Sequence, residues 1–297
     1  MNIKPLMLLL LALGSVSAVQ AGASFSEVIA GSTEADWRPI DPENTLYLQL
    51  ASGKVVIELA PQFAPNHVNN IKLLAQQGYY DGLAIVRSHD NYVVQWADPN
   101  ADTALAKPLG KASAKIAAEY SVGYPDNFEF KLLPDDDGYA PEVGFSRGFA
   151  AARDLADKTT WLTHCYGAVG VSRDVEDDSG NGSSLYVVTG HAPRHLDRNI
   201  TVVGRVVMGM ELLSSIPRGK GPLGFYQDTT SYIPLIGVKH AVVVPEAERL
   251  KLEVLRTDSK LFERAVESLR HRPGPWYKRP AGYVGLCNIP VPVRQQA

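Results

Sequence analysis

The chain has 297 residues, of which 45% are hydrophobic and 21% are charged, and its formal net charge is −3 at pH 7. This length and composition are ordinary for a globular protein with one large domain, or one domain with extensions. The small negative charge gives no reason to expect nucleic acid or another polyanion as a partner.

The first 21 residues have the order of a secretory signal. Lys4 precedes an apolar run over residues 6–13, and the small residue Ala21 ends the segment. A buried N-terminal helix is the alternative, but it would not need a basic start or a small-residue end. We therefore expect cleavage near Ala21 and export to the periplasm or secretion. No later segment approaches ~20 consecutive apolar residues, so no membrane span is expected in the mature chain.

Alternating apolar residues predict several β-strands and two helices. A hairpin is expected over residues 45–50 and 54–60, followed by a helix from Asn66 to Gln77 that ends at Gly78. A second helix is expected after Met208. The remaining strands are predicted at residues 83–87, 92–96, 168–171, 185–189 and 201–207. Antiparallel strands with two helices fit a mainly β fold, a closed barrel capped by helices.

A long insertion, about residues 121–164, interrupts this pattern. It is rich in turn formers and acids, so we expect an inserted loop region on the surface. Its run Asp135-Asp136-Asp137-Gly138 lacks the full spacing of a calcium loop, and a solvated turn is favoured. His191 and His195 are separated like a metal-binding pair, but Pro193 between them argues against a regular helix. No metal site is predicted.

Beyond the main domain expected over residues 22–245, a C-terminal extension is expected over residues 246–297. A helix is predicted from Glu246 to roughly His271, with Leu255, Phe262 and Val266 on its apolar stripe, followed by a Pro-rich tail. The extension carries ten Lys/Arg and six Asp/Glu. It could hold a protein partner or an anionic surface. Docking on its own acidic domain is favoured, because the stripe must be buried somewhere.

The chain has two cysteines, Cys165 and Cys287. An oxidising compartment would let them pair, and their even number fits one disulfide. Two buried free thiols are the alternative, since sequence alone does not show that the two residues meet.

The segment from residue 85 to residue 95 combines a cation with a β-strand. Period-two alternation places Tyr92 and Val94 on one face and Val93 and Gln95 on the other, with Arg87 within reach. A Gly-Ser turn at residues 182–183 leads into a second β-rich run that carries Tyr186 as a large apolar wall. An apolar wall beside an Arg predicts a recognition pocket.

The spacing of Arg87, Tyr92, Val93 and Gln95 resembles the cyclophilin family of peptidyl-prolyl cis/trans isomerases. Further segments resemble the family in the same order along the chain, at residues 55–61, 64–70, 78–82, 180–183, 196–197 and 203–210. The resemblance implies a cyclophilin-like closed eight-stranded antiparallel β-barrel capped by two helices. It also implies rotation about X-Pro bonds as the activity, which requires no cofactor.

The resemblance also implies roles for individual residues. Arg87 matches the arginine that acts on the prolyl nitrogen, and Gln95 matches a glutamine that binds substrate backbone and positions that arginine. Ser172 lies where backbone usually meets the peptide. The pocket-lining positions correspond to Tyr92, Val93, Tyr186 and Leu196. His195 stands where the family has a Trp or Phe associated with the immunosuppressant cyclosporin, so tight inhibition is not expected.

The sequence therefore predicts an exported peptidyl-prolyl isomerase that assists folding and takes extended or unfolded polypeptides containing proline as substrates. The alternative is a cyclophilin-like peptide-binding or chaperone module with little turnover, in which the insertion and the basic extension hold a partner.

Overall fold

The structure is a computed structural model that describes residues 22–296, and the predicted signal segment at residues 1–21 lies outside this range. No helix among the described residues is long and apolar enough to cross a membrane. The four α-helices are α1 (Phe25–Ala30), α2 (Pro65–Gln76), α3 (Met210–Ser214) and α4 (Lys260–His271). The strands are β1 (Trp37–Pro39), β2 (Thr45–Leu50), β3 (Gly53–Leu59), β4 (Ala84–Ser88), β5 (Val93–Ala97), β6 (Val122–Gly123), β7 (Lys131–Leu132), β8 (Glu142–Ser146), β9 (Phe149–Asp154), β10 (Thr159–Leu162), β11 (Ala168–Val171), β12 (Leu185–Val188), β13 (Val202–Met208), β14 (Ile233–Pro234), β15 (Gly237–His240), β16 (Leu252–Leu255) and β17 (Val293–Gln295).

The main layer is a curled antiparallel sheet of nine strands, in the order β14-β4-β5-β12-β11-β13-β3-β2-β15. Its two edge strands are neighbours in the chain. Between them, the amide of Leu235 donates to the carbonyl of Leu83 on one side, and that of Ile236 to Gln49 on the other. The mainly β class is confirmed. The sheet has nine strands where eight were expected, and Leu235 and Ile236 separate β14 from β15.

The inner face of this sheet packs around one hydrophobic core. Alternation along β2 and β3 sends residues such as Leu46, Leu48 and Ile57 into it, and α2 covers one end with Val68 and Ile71. The carboxylate of Glu119 accepts the backbone N–H groups of residues 66 and 67 at the first turn of α2, where helical amides have no partner within the helix.

The insertion is a second sheet, not a loop region. Residues 122–162 form five antiparallel strands in the order β6-β10-β9-β8-β7. The prediction of a loop region was wrong because these strands are two to six residues long and are separated by tight turns. The turn at Arg147 and Gly148 is one such connection, with both residues at positive φ. The many turn-forming residues of this segment therefore indicated loops where the structure has short strands.

The predicted helix from residue 246 was also wrong in its first half. Residues 252–255 form β16, which pairs with β1 on one side and β17 on the other. The helix α4 begins only after Ser259, whose hydroxyl accepts from the amide of Phe262. Leu255 therefore ends a strand, because the residues before it, Lys251-Leu252-Glu253-Val254, alternate with period two, and the Ser259 cap fixes the later start of the helix.

The extension docks on the insertion. Phe262 and Val266 on α4 share one hydrophobic cluster with Phe145 and Trp161 of the second sheet. The rings of Phe145 and Phe262 meet edge to face, with centroids 5.1 Å apart. The apolar stripe of α4 is thus buried within the chain itself.

A disulfide joins the segment before β11 of the main sheet to the C-terminal extension. Cys165, between β10 and β11, is bonded to Cys287 across a sequence separation of 122 residues. Both sulfur-bearing residues pack on the cluster shared by the insertion and α4. The bond therefore closes a long loop that encloses most of the second half of the chain.

We expect the double variant Cys165→Ser/Cys287→Ser to lose about 2–5 kcal/mol of unfolding free energy, because a long loop is no longer closed in the unfolded chain. Urea unfolding of wild type and variant, without reductant, measures this difference. Equal midpoints with equal slopes would contradict it.

Candidate active site

The candidate site is built around the hairpin of β4 and β5. Arg87 on β4 pairs with Gln95 on β5, next to an irregularity in register between residues 85 and 87. The connecting turn includes Asn91 at φ 50°, a conformation that Asn tolerates well. The hairpin therefore sets both side chains on one surface of the sheet.

Three acceptors from three parts of the chain hold the Arg87 guanidinium. Its Nη1 donates to Gln95 Oε1 at 3.2 Å, its Nε to the carbonyl oxygen of Leu223 at 2.7 Å, and its Nη2 lies 3.2 Å from His89 Nδ1. A guanidinium has five N–H donors, so one N–H remains on each terminal nitrogen. Burial lowers the pKa of Arg87, although nearby Tyr92 opposes this shift.

Aromatic rings flank the same guanidinium. Its central carbon lies 5.6 Å from the ring centroid of Tyr92 and 5.2 Å from that of Phe225. Phe225 and Leu223 belong to a loop after α3 that sequence reasoning did not connect with the site. The Gly-Pro pattern at residues 221–224 indicates a turn there, but nothing in it indicates contact with Arg87.

Gln95 is itself fixed by hydrogen bonds. Its Nε2 donates to Ser172 Oγ at 2.9 Å and to Ser184 Oγ at 3.2 Å, and Ser184 Oγ donates to the carbonyl of Trp96. This leaves Gln95 Oε1 facing Arg87, so the amide orientation follows from its partners. Ser172, predicted from backbone proximity alone, thus contributes its side chain.

The apolar residues of the predicted pocket lie next to these polar groups. Val93 and Tyr186 share one buried cluster, against which Tyr92 packs. The ring of His195 is parallel to that of Tyr92, with centroids 6.5 Å apart. Leu196 follows His195 in a short 3-10 turn and is partly buried. The structure thus brings Arg87 and Gln95 beside the predicted apolar positions.

Tyr186 has a polar partner that the sequence did not predict. Its hydroxyl lies 2.9 Å from Nε2 of His164, which is fully buried. Nδ1 and the backbone amide of His164 both lie 2.9 Å from Oδ1 of Asp197. We therefore assign the ring proton to Nδ1, facing Asp197, so that Nε2 accepts a hydrogen bond from the Tyr186 hydroxyl. Burial raises the pKa of Tyr186 well above its ordinary value.

A glycine makes room for this hydroxyl. A Cβ at Gly170 would lie 2.3 Å from the Tyr186 oxygen, far inside van der Waals contact. The phenol of Tyr186 therefore occupies space beside β11 that a side chain at position 170 would otherwise fill. The pairing of Gly170 with Tyr186 across β11 and β12 places them there.

The hydrogen bonds that begin at Tyr186, His164 and Asp197 continue into the insertion. Arg194 donates from Nε to Oδ2 of Asp197 at 2.5 Å, and its terminal nitrogens donate to both oxygens of Asp137 at 2.9 and 3.0 Å. Asp137 belongs to the acidic run that was predicted to be a solvated turn. Its carboxylate is instead largely buried against Arg194.

Comparison with known proteins gives matches to one family. A family model described as cyclophilin-type peptidyl-prolyl cis-trans isomerase matches residues 45–234. A probable peptidyl-prolyl cis-trans isomerase of Brucella suis is 30% identical over 199 residues, which cover 67% of this chain and 84% of that protein. The peptidyl-prolyl cis-trans isomerase ppi1 of Schizosaccharomyces pombe is 26% identical over 165 residues, 56% of this chain and 79% of that protein.

A solved structure extends the likeness in fold. The crystal structure of a cyclophilin from Hirschia baltica superimposes with a TM-score of 0.67 at 24% identity, and the match covers 89% of this chain and 97% of that one. This coverage extends beyond residues 45–234, so the fold likeness includes parts of the chain outside the family model.

We expect Tyr186→Phe to lower the unfolding free energy by about 1–3 kcal/mol, because it leaves the buried Nε2 of His164 without its hydrogen-bond donor. Denaturant unfolding measures the loss. The matched control is Tyr277→Phe, which removes a hydroxyl from a partly exposed ring and should change stability by less than about 0.5 kcal/mol. Equal effects of the two variants would contradict the assignment.

Proposed function

This chain belongs to the cyclophilin-type peptidyl-prolyl cis-trans isomerase family, and we propose that it rotates X-Pro bonds at the pocket formed by Arg87, Gln95 and the apolar residues beside them. The observation that carries this proposal is the guanidinium of Arg87, which is fixed by three acceptors and still keeps free N–H groups next to an apolar wall.

The reaction demands little chemistry. Rotation about an X-Pro amide has a barrier of about 18–20 kcal/mol because resonance gives the C–N bond partial double-bond character. No bond is broken, so neither a nucleophile nor a cofactor is needed. In the twisted state the prolyl nitrogen recovers its lone pair, and a hydrogen-bond donor aimed at that nitrogen stabilises this state over both planar ones.

Arg87 supplies that donor in our proposal. A guanidinium stays charged at neutral pH, and its planar shape keeps the unused N–H groups in a fixed direction. Because Gln95, His89 and the carbonyl of Leu223 already orient it, little reorganisation is needed during rotation. Partial burial strengthens the interaction by excluding water.

The remaining site residues hold the substrate. Val93 and Tyr186, with Tyr92 and Leu196, offer an apolar slot for the proline ring, and Gln95 and Ser172 lie where substrate backbone would pass. His164 is a positioning residue in this proposal, since it fixes the Tyr186 ring through its hydroxyl. His195, parallel to Tyr92, contributes to the rim.

The substrates we propose are extended or unfolded polypeptides that contain proline, and the place of action is outside the cytoplasm. Two observations support export: the signal-like order of residues 1–21 and the disulfide between Cys165 and Cys287, which persists in oxidising compartments. Assistance to the folding of exported proteins follows as the proposed role.

The alternative of a binding or chaperone module that uses the extension as an adaptor is less well supported. The apolar stripe of α4 is covered by the second sheet, so it does not offer a free docking face. Deleting residues 246–297 would also uncover Phe145 and Trp161. Loss of function after such a deletion would therefore not single out an adaptor role.

We expect Arg87→Ala to reduce kcat/KM by about 10²–10³, the usual cost of removing one donor that acts on the transition state. Arg87→Lys should recover little, because an ammonium cannot keep the three oriented contacts. Exchange NMR on a short Ala-Pro peptide measures the rate directly.

The matched control for this measurement is Arg264→Ala, which removes an exposed arginine from α4 and should leave the rate unchanged. Wild-type rates in Arg87→Ala, or an uncatalysed rate for the wild type, would overturn the proposal.

We expect full-length protein expressed in a Gram-negative host to be recovered from the periplasm with Gly22 as its first residue, as mass spectrometry of the purified protein would show. Replacing Leu9 and Leu10 by Arg should retain the precursor in the cytoplasm, because the apolar segment is interrupted. Cytoplasmic wild-type protein that keeps residues 1–21 would contradict export.

A further inference from the structure

A second cavity lies away from the Arg87 pocket, where the main sheet, the insertion and the segment at residues 286–291 meet. Its volume is about 330 Å³, within the range of small-molecule sites. Apolar side chains such as Phe149, Leu162, Val202 and Met210 line most of it, and the disulfide between Cys165 and Cys287 forms part of the wall.

Arg205 is the one charged residue among those that line this cavity in the described part of the chain. It lies on β13, and its guanidinium is 5.7 Å from the ring centroid of Phe149. Gly148 lies beside both guanidinium groups of this region, since a Cβ there would be 3.4 Å from Arg205 Nη2 and 3.3 Å from Arg38 Nη2. The cavity thus combines an apolar wall with a single cation.

The charge of Arg205 is incompletely balanced within the protein. Glu58 is its nearest carboxylate, but the distance from Arg205 Nε to Glu58 Oε2 is 3.8 Å, too long for a hydrogen bond. The other oxygen of Glu58 is bound by Arg38 Nη1 at 2.6 Å. Two guanidinium groups therefore share one carboxylate, and the three groups together carry one net positive charge.

The hydrogen-bonding capacity of Arg205 is also unused. Its Nε and Nη2 are buried, and among residues 22–296 neither has an acceptor within hydrogen-bond distance; Glu58 Oε2, 3.8 Å from Nε, is likewise buried without a hydrogen bond. Burial lowers the pKa of Arg205 to about 10 against the attraction of Glu58. A buried donor without an acceptor lowers the stability of the fold, and so does a buried cation that shares its only carboxylate with another cation. An anionic ligand would offset both effects.

We propose that this cavity binds an apolar monocarboxylate, whose carboxylate accepts hydrogen bonds from Arg205 and whose hydrocarbon body fills the space lined by Phe149, Leu162, Val202 and Met210. The absence of an acidic residue from the described lining favours an anion, and the single cation favours one negative charge. Such a ligand is either a free organic acid or the C-terminal carboxylate of an apolar peptide.

Titration of the purified protein with octanoate tests the site, with isothermal calorimetry for affinity and the ¹³C-methyl signal of Met210 for location. We expect saturable binding at millimolar concentrations or below and a shift of the Met210 signal. The neutral probe 1-octanol should bind at least about tenfold more weakly, because it cannot pair with the cation. Equal affinity for both probes, or no saturable binding of octanoate, would overturn the proposal.

Two variants separate the contribution of the Arg205 charge to binding from the contribution of the cavity volume. Arg205→Met keeps an unbranched side chain but removes the charge, and it should weaken octanoate binding by about tenfold to hundredfold. Val291→Phe keeps Arg205 and reduces the cavity, so it should also weaken binding and would serve alone if Arg205→Met failed to fold. Unchanged affinity in either folded variant would contradict the site.

A final pair of probes identifies the source of the carboxylate. N-acetyl-valyl-leucine and its C-terminal amide differ only in the charged group. Tighter binding of the acid than of the amide, with the Met210 shift, would assign the site to peptide C-termini, and binding of octanoate without the peptide acid would assign it to small free acids. Isomerase activity is not the readout, so failure here leaves the role of Arg87 untouched.

Discussion

The fixed guanidinium of Arg87 is the constraint on which the candidate active site depends. A free arginine has many rotamers, and a donor must point at one atom of a rotating amide to favour its twisted state. Gln95 from the neighbouring strand, His89 from the hairpin turn and the carbonyl of Leu223 from the loop after α3 remove that freedom together. Ser172, just after β11, and Ser184, just before β12, fix Gln95 in turn, so residues at four places along the main sheet contribute to the orientation of one side chain.

A second network links the pocket to the part of the chain that was expected to be only decoration. Asp137 of the insertion holds Arg194, which holds Asp197, and Asp197 sets the tautomer of His164 under Tyr186. The insertion is in turn fixed by α4 and by the disulfide. The second sheet and the C-terminal extension therefore help to hold His164 and Tyr186 in place and are not separate from the candidate site. Within this network, Asp137, Arg194, Asp197, His164 and Tyr186 each have a hydrogen-bond partner, which is the condition under which a buried polar network stabilises one conformation.

Much of the main sheet and the residues around Arg87 could be predicted from the sequence, because period-two alternation indicates the strands and one spaced motif contains Arg87, Tyr92, Val93 and Gln95. The second sheet could not be predicted, because strands as short as Lys131–Leu132 are too short to show a period-two pattern among the turn residues around them. The start of α4 was misplaced because the apolar residues of β16 precede the helix at spacings that also fit its apolar stripe. His164 was missed because its partners lie 22 and 33 residues away, and only the fold brings them together.

The central claim is that Gln95 contributes to turnover by orienting Arg87, and a double-mutant cycle in kcat tests it most directly. Arg87→Ala, Gln95→Ala and the double variant would be compared with wild type on one Ala-Pro peptide by exchange NMR, after unfolding curves show that each is folded. Residues that act as a unit are strongly non-additive. We expect the double variant to be no slower than Arg87→Ala alone. If the two losses multiply instead, Gln95 acts independently of Arg87, which would contradict its orienting role.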